Sequence, residues 1–478
     1  MKNIWRKILK IIIGIFVIYV VYAFVFGVII FRFHHPNISS YTDNHPPERF
    51  FSETISNDRV ALVEDRFEAA VARIDIIETA EETLDISYFT LHQGQSTDIF
   101  FSSLLDAAER GVKVRLLLDG IFHNLTGNLK DIRYSYALHP NIELKLYEPF
   151  SLFKPWTLNN RLHDKYMIAD NKIAMIGGRN IGDKYFSPED NERVTNDRDV
   201  VIINVDKKES SVIEEIKDYF EYIWDHEYTE YANSFLTNRQ LSRGEENIAY
   251  LLSLRSELLS QHPDLYEQSI DWIKKSVETN NITLIHNPIE RMNKEPWVWK
   301  EITNLIEISS ESVFIQSPYI IPTDPMLHHL EGDLPSHNNV FMLTNSLAST
   351  PNVLAFSGYL KHREDIVNAS INVYEYQGPG SIHAKTYLFD NRLSVIGSFN
   401  LDARSAFLST ETMVVIDSEP LSTMLMKEIE YIYSKSLVVQ PDGSYVPTPS
   451  LQATEASALK TLGTRALSFL TRFFDYML

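Results

Sequence analysis

From Ile11 to Phe31 no charged residue interrupts the chain, and apolar side chains follow one another without the 3.6-residue alternation of a surface helix. As a helix, that stretch rises about 31 Å, enough to cross the hydrocarbon core of a bilayer. Lys2, Arg6, Lys7 and Lys10 lie before it and Arg32 after it. This charge bias predicts a single-pass anchor in the cell membrane, with a cytoplasmic N-terminus and the catalytic region outside the cytoplasm. A cleaved signal peptide is the competing reading. Against it, the apolar run is long and no small-x-small cleavage site follows.

Beyond the anchor (residues 1–33), residues 34–58 hold three prolines among many turn formers and read as a linker. The pattern then changes to short apolar runs alternating with amphipathic ones. Helical spacing over 65–80, a strand at Leu84–Phe89, a helix over 98–110 and a strand at Val112–Asp119 open one half. A helix near 298–309 and strands at Val313–Ser317 and Val340–Thr344 open another. The segments IETAEETLDI (77–86) and IEISSESVFI (306–315) align directly, which points to an internal duplication. Alternating strands and helices predict an α/β fold with mixed or parallel sheets. The halves are placed at 59–235 and 286–442, joined by a charged helical connection over 236–285. A tail over 443–478 closes the chain. In it Leu459, Leu462, Ala466, Leu470, Phe473 and Met477 recur at helical spacing beside Lys460, Arg465 and Arg472. Such a helix either lies in a membrane interface or packs on the catalytic core.

The duplication is sharpest in two stretches 220 positions apart, RLHDKYMIADNKIAMIGGRN (161–180) and SIHAKTYLFDNRLSVIGSFN (381–400). His163, Lys165, Asp170, Gly177 and Asn180 recur as His383, Lys385, Asp390, Gly397 and Asn400. Each stretch reads as strand, turn, strand, in which His and Lys two apart share a face. Imidazole, ammonium and amide together suit a phosphodiester. Lysine and asparagine donate to the non-bridging oxygens, and an ammonium about 4 Å from phosphate contributes roughly 4 kcal/mol at an effective dielectric near 20. Histidine can serve as nucleophile or as general acid because it titrates near neutrality. One histidine cannot attack phosphorus and also protonate the oxygen leaving on the opposite side, whereas two converging on one site can. A buried core histidine is the bland alternative for either copy alone, but not for both together. Asp170 and Asp390 complete the catalytic candidates. Each precedes an Asn at a strand end, so capping the turn or pairing with the lysine is an equally good role. Ser398, standing where the first copy has Gly178, offers a further hydroxyl to phosphate.

Sixty-four acidic against 44 basic residues give a net charge of −20. That balance opposes binding to phosphate polymers, which depends on clustered cations, so no nucleic-acid partner is expected. It also weakly opposes anionic headgroups, which makes a tether to the bilayer useful. Without cysteine there is no thiolate or zinc site, and no His/Glu spacing reads as a metal site, so no metal and no cofactor are expected.

The two stretches resemble the HKD motifs of the phospholipase D superfamily. GGRNIGDKYF (177–186), SPYIIP (317–322), TNSLAST (344–350) and GSFNLDARSAFLSTE (397–411) resemble its bacterial cardiolipin synthase branch over roughly residues 60–440. The resemblance implies two similar α/β/α halves packed as a pseudo-dimer behind one transmembrane helix. It also implies metal-independent phosphatidyl transfer in two steps, on phospholipid substrates such as phosphatidylglycerol. One histidine becomes phosphorylated while the other protonates the departing alcohol and later deprotonates an acceptor. In this superfamily the nucleophile usually lies in the N-terminal motif, which favours His163, with His383 as acid and base. An acidic residue 25–40 positions after each motif orients the imidazole in related enzymes; Asp199 and Glu411 fit, with Asp197 as rival to Asp199. Hydrolysis to phosphatidic acid, cleavage of another phosphodiester by a nuclease, and a non-catalytic lipid-binding scaffold are the other readings.

Overall fold

A computed structural model describes residues 2–189, 193–206, 210–261, 269–329 and 339–478. Two mixed sheets form its frame. In the first, the strands run Thr229–Tyr231, Ile142–Tyr147, Lys113–Asp119, Thr83–Tyr88, Lys165–Ala169, Ile173–Gly177, Asp199–Asn204, Asp58–Val63 and Val277–Glu278. In the second, they run Ser436–Val438, Asn372–Tyr376, Asn339–Asn345, Ser312–Gln316, Thr386–Phe389, Leu393–Gly397, Thr412–Asp417 and Asn281–His286. Strand for strand the second repeats the first, except that the first carries Val277–Glu278 at its end. Each has three parallel strands followed by an antiparallel meander. The duplication read from sequence is therefore a duplication of sheet topology.

Both faces of each sheet are covered, as strands with a parallel core require. Along Lys165–Ala169 the side chains alternate. Met167 and Ala169 enter the core beneath helices Arg66–Thr79 and Gln95–Glu109, while Tyr166 and Ile168 enter a central core. That central core also contains one helix from each half, Val212–Trp224 and Glu419–Tyr433, so it joins the halves into one body. The third core lies under helices Trp297–Ile308 and Val353–Asn368.

The structure divides the chain differently from the expected boundaries. The second sheet takes its first strand at Asn281, before the expected start at 286. Helix Asn238–Gln261, expected as part of a connection, packs on helices Gln95–Glu109 and Ile132–Leu138 of the first half, with Gly244 against Tyr134 and Leu138. The rest of that connection includes 262–268, outside the described residues.

The segment 34–58 is a fitted strap. Asn293 Nδ2 donates to the Phe31 and His34 carbonyls, Ser39 Oγ donates to Glu295, Arg49 pairs with Glu301 at 2.6 Å, and Phe50 is fully buried.

Among the described residues, one helix is long and apolar enough to cross a membrane, Ile4–Phe33. Near its end the winding loosens to a wider turn over Val25–Ile29, as helices do where a backbone carbonyl is captured from outside. Asn159 Nδ2 donates to the Gly27 carbonyl at 2.7 Å. Gly27 rests on Pro155, and Tyr22 Oη donates to the Phe153 carbonyl at 2.8 Å. This apolar helix is thus docked to the loop that precedes the first motif.

Candidate active site

Each motif histidine follows a two-residue strand paired in parallel with the opposite half. Arg161–Leu162 pairs with Ser409–Thr410, and Ser381–Ile382 pairs with Thr195–Asn196. Extending each register by one residue sets His163 beside Glu411 and His383 beside Asp197. His163 Nδ1 lies 2.9 and 3.0 Å from the two Glu411 oxygens, and His383 Nδ1 lies 2.5 Å from Asp197 Oδ2. Both carboxyls are completely buried. Each imidazole therefore engages an acid of the other half. With Nδ1 occupied, Nε2 is the nitrogen left for chemistry in each ring.

Asp199, expected to orient a histidine, does something else. It accepts from Arg73 at 3.0 Å and from Arg179 at 2.8 Å, forming a buried triad that fastens helix Arg66–Thr79 to the sheet. Asp197, the rival, occupies the position beside the imidazole. Gly178 is the local reason, because a Cβ there would collide with the Asp197 carboxylate. Gly177 is closed in the same way by Asp199 and the Arg198 carbonyl.

Asp170 and Asp390 lie at the far ends of their strands from the lysines, and both adopt left-handed backbone, as do Asn171 and Asn391. The Asp170 carboxylate accepts from the amides of Glu81, Glu82 and Thr83; that of Asp390 accepts from Ser310, Glu311 and Ser312. They clasp the equivalent loop in each half and stand apart from the histidines. Three amide donors hold the Asp390 carboxyl below its ordinary range despite partial burial. Ser398, expected on phosphate, donates instead to Glu411 Oε2 at 2.5 Å and accepts from the Thr412 amide.

His163, His383, Asn180 and Asn400 all line one cavity of about 480 Å³. The amide carbonyl oxygens of both asparagines are buried without a partner, while their Nδ2 atoms reach Tyr185 Oη and Ser405 Oγ at 3.3 Å. Lys165 and Lys385 donate to the backbone carbonyls of their own histidines, and Lys385 Nζ approaches His383 Nδ1 at 2.8 Å. Phe89 meets the His163 ring edge-on at 5.0 Å, and Tyr185 meets that of His383 at 5.9 Å.

The electrostatics of the two pairs differ. Burial pushes Glu411 up to about 8, and burial together with Lys165, Lys385 and Arg404 pushes His163 well down; both directions favour the neutral forms, a carboxyl and an imidazole with one proton each. At Asp197 burial is outweighed by Lys385 and His383, which hold the carboxyl far below its ordinary range. An ionised Asp197 can only accept, so His383 carries its proton on Nδ1. Burial lowers Lys165 to about 7 and Lys385 to about 8. A phosphate beside them would favour the charged form of both.

Sequence reasoning passed over several cavity residues. Lys184 and Arg404 both line it, and each stands four residues beyond its motif's asparagine. The duplicated frame made that pair legible. Arg161, held by Asp119 at 3.2 Å, and Tyr319 also reach the cavity. Among the described residues, no three His, Asp or Glu side chains are grouped as a metal site would need.

The family model for the phospholipase D-like domain of cardiolipin synthase matches residues 74–224 and 302–433. Cardiolipin synthase C of Escherichia coli K12 is 30% identical over 406 residues, covering 76% of this chain and 82% of that protein. Cardiolipin synthase of Clostridium perfringens strain 13 is 26% identical over 368 residues, 77% of this chain and 67% of its own. The crystal structure of phosphatidylserine synthase from Haemophilus influenzae superposes with a TM-score of 0.61 at 13% identity. The match covers 88% of this chain and 95% of that one, and it is a likeness of fold.

Proposed function

The chain belongs to the cardiolipin synthase family with phospholipase D-like domains, and on that premise we propose that it transfers a phosphatidyl group between alcohols through a phosphohistidine on His163. One observation carries the reading. Two imidazoles from duplicated motifs line one cavity, and each is held at Nδ1 by a carboxyl of the opposite half.

We read the roles from the difference between the two pairs. A neutral His163 whose ring proton lies on Nδ1, towards a Glu411 oxygen, presents an unprotonated Nε2, as a nucleophile must. Burial and Lys385 lower His383 to about 3, and the ionised Asp197 opposes them by favouring the charged ring, which suits the histidine that carries a proton in transit. In the first step His163 Nε2 bonds to phosphorus, the bond to the headgroup oxygen breaks, and His383 Nε2 gives that oxygen its proton. In the second step His383 takes the proton of an acceptor hydroxyl, whose oxygen bonds to phosphorus as the P–N bond breaks. Lys165, Lys385, Asn180 and Asn400 surround the non-bridging oxygens, where donors placed before the reaction are most effective.

Phospholipid access follows from the surface around the cavity. Phe122, Leu158 and Leu354 line its walls and are partly exposed. Beside the docked anchor, Phe150, Leu152 and Phe153 project outward, Phe153 being 83% exposed. Helix Ala458–Thr471 packs on Val353–Asn368 through Thr464 and Thr471, and turns Leu459, Leu462 and Phe469 to solvent. These apolar groups, continuous with the anchor, seat the cavity mouth on the bilayer. From the charge bias around Ile11–Phe31 we infer that this bilayer face is the one outside the cytoplasm.

Vesicles containing labelled phosphatidylglycerol, with and without phosphatidylethanolamine, test the reading. Transfer yields cardiolipin together with free headgroup. Phosphatidic acid as the sole lipid product would establish hydrolysis and overturn it.

A further inference from the structure

Asp164 stands between the histidine and the lysine of the first motif, and Ala384 takes the same place in the second. Asp164 is completely buried. A carboxyl in an interior destabilises a fold unless its oxygens are engaged. Asp164 Oδ2 accepts from Thr410 Oγ1 at 2.8 Å and from Tyr219 Oη at 3.2 Å. Its Oδ1 has no hydrogen-bond partner among the described residues. The first motif thus keeps an unfavourable group that the second does without, and neither step of the transfer touches it.

The motifs differ at the same point in their backbone bonding. The His383 amide donates to a backbone carbonyl, that of Asn196, at 2.6 Å, as a parallel pairing provides. The His163 amide goes to a side chain instead, donating to Thr410 Oγ1 at 3.0 Å. A hydroxyl has one proton and rotates, so it offers that amide a lone pair only when its own proton points elsewhere. Asp164 takes that proton. The carboxyl is itself held by Tyr219, on helix Val212–Trp224 of the central core. A line of hydrogen bonds therefore runs from Tyr219 through Asp164, crosses to Thr410 of the second half, and returns to the backbone of His163. Burial pushes the Asp164 carboxyl up to about 7, and a proton on Oδ1 leaves Oδ2 accepting from both hydroxyls.

We infer that Asp164 is a positioning residue for the nucleophile: by orienting the Thr410 hydroxyl it fixes the His163 backbone, and with it the line along which Nε2 meets phosphorus. The inference rests on the phosphohistidine reading and adds to it a residue that touches neither substrate nor the reacting atoms. In-line attack tolerates little misplacement, and a shift of about 1 Å can slow a reaction on the order of 100-fold. Ala384 is enough in the second motif, because backbone pairing alone holds the His383 amide.

The test uses the full chain in vesicles with a lipid donor whose leaving group needs no proton. The phosphorus label on the protein is followed in a single turnover, and rates are referred to the folded fraction read by thermal unfolding. D164A is expected to slow label formation by about 10- to 100-fold. D164N keeps an oxygen for the Thr410 hydroxyl and is expected to restore the rate to within about threefold of the unmodified protein. T410V should lose as much as D164A, and the double variant no more than either, since both interrupt one line of bonds. Where D164A fails to fold, T410V against T410S carries the same comparison. Label forming in D164A or T410V at the unmodified rate overturns the inference and leaves Asp164 a purely structural group. So does a loss in D164N equal to that in D164A, or losses that add in the double variant. No label in the unmodified protein would instead remove the phosphohistidine reading itself.

Discussion

His383 is held by Asp197, at 2.5 Å, and not by any acid that follows it in its own half. The same exchange joins His163 to Glu411. Two short parallel pairings across the pseudo-dimer create both contacts, so neither half can complete the setting of its motif histidine alone. Asp197 and Asp199, two residues apart, consequently have unlike jobs, and their substitutions should separate.

For Asp197→Asn, kcat is expected to fall by about 10³-fold or more with the fold retained, since the imidazolium of His383 loses its ionised partner. Asp199→Asn should act on stability. It leaves Arg73 and Arg179 buried against a neutral amide, a loss on the order of 3–5 kcal/mol. Thermal unfolding beside turnover distinguishes them, and equal loss of turnover at full stability in both variants would contradict the division.

Trapping separates nucleophile from acid. With a donor whose leaving group needs no proton, His383→Ala should accumulate an acid-labile phosphorus label on the protein, because the intermediate forms but no base activates the acceptor. His163→Ala should show no label. Labelling of the His163 variant through His383 would reverse the assignment.

Asp170→Ala or Asp390→Ala should lower stability by about 1–2 kcal/mol, through three amides left without their acceptor at a partly exposed loop. Turnover should stay within about threefold. A loss like that of a histidine variant would place these aspartates in the chemistry.

The pH dependence of stability carries a mark of Glu411. Its pKa rises on folding, from 4.5 to about 8, so the folded state binds the extra proton between those values. Stability contributed by the neutral form is complete below about 4.5 and is lost as pH rises towards 8. Glu411→Gln cannot ionise, so its stability profile should be flatter than that of the unmodified protein across this window. Parallel profiles would mean that Glu411 is ionised throughout.

Because the chain has no cysteine, a single introduced thiol reports position without background. Fluorophores on Phe153→Cys and Leu470→Cys should be quenched by lipids carrying spin labels in their acyl chains; one on exposed Tyr431→Cys, on the helix joining the halves, should not. Equal quenching at all three would deny a defined seat.

The first-half elements were readable because their signals are local. The expected helix at 65–80 forms over Arg66–Thr79, and the expected strand at Leu84–Phe89 forms over Thr83–Tyr88. The tail was ambiguous for the opposite reason. Its apolar stripe predicts a helix but not which way it faces, and the structure turns Leu459 outward, 82% exposed, while threonines make the packing. The strap over 34–58 looked free because prolines and turn formers mark irregular backbone, whereas its attachment depends on Asn293, Glu295 and Glu301, some 250 residues away.

The sequence by itself determined the duplication, the paired histidines with their lysines and asparagines, and the long apolar N-terminal helix, since each depends on residue identity and short-range spacing. Only the tertiary structure decided which carboxyl serves which imidazole. Asp197 and Asp199 share strand parity, so no periodicity separates them. The choice comes from the register of Ile382 on Asn196, a contact between segments 186 positions apart whose alignment is set by packing of whole halves.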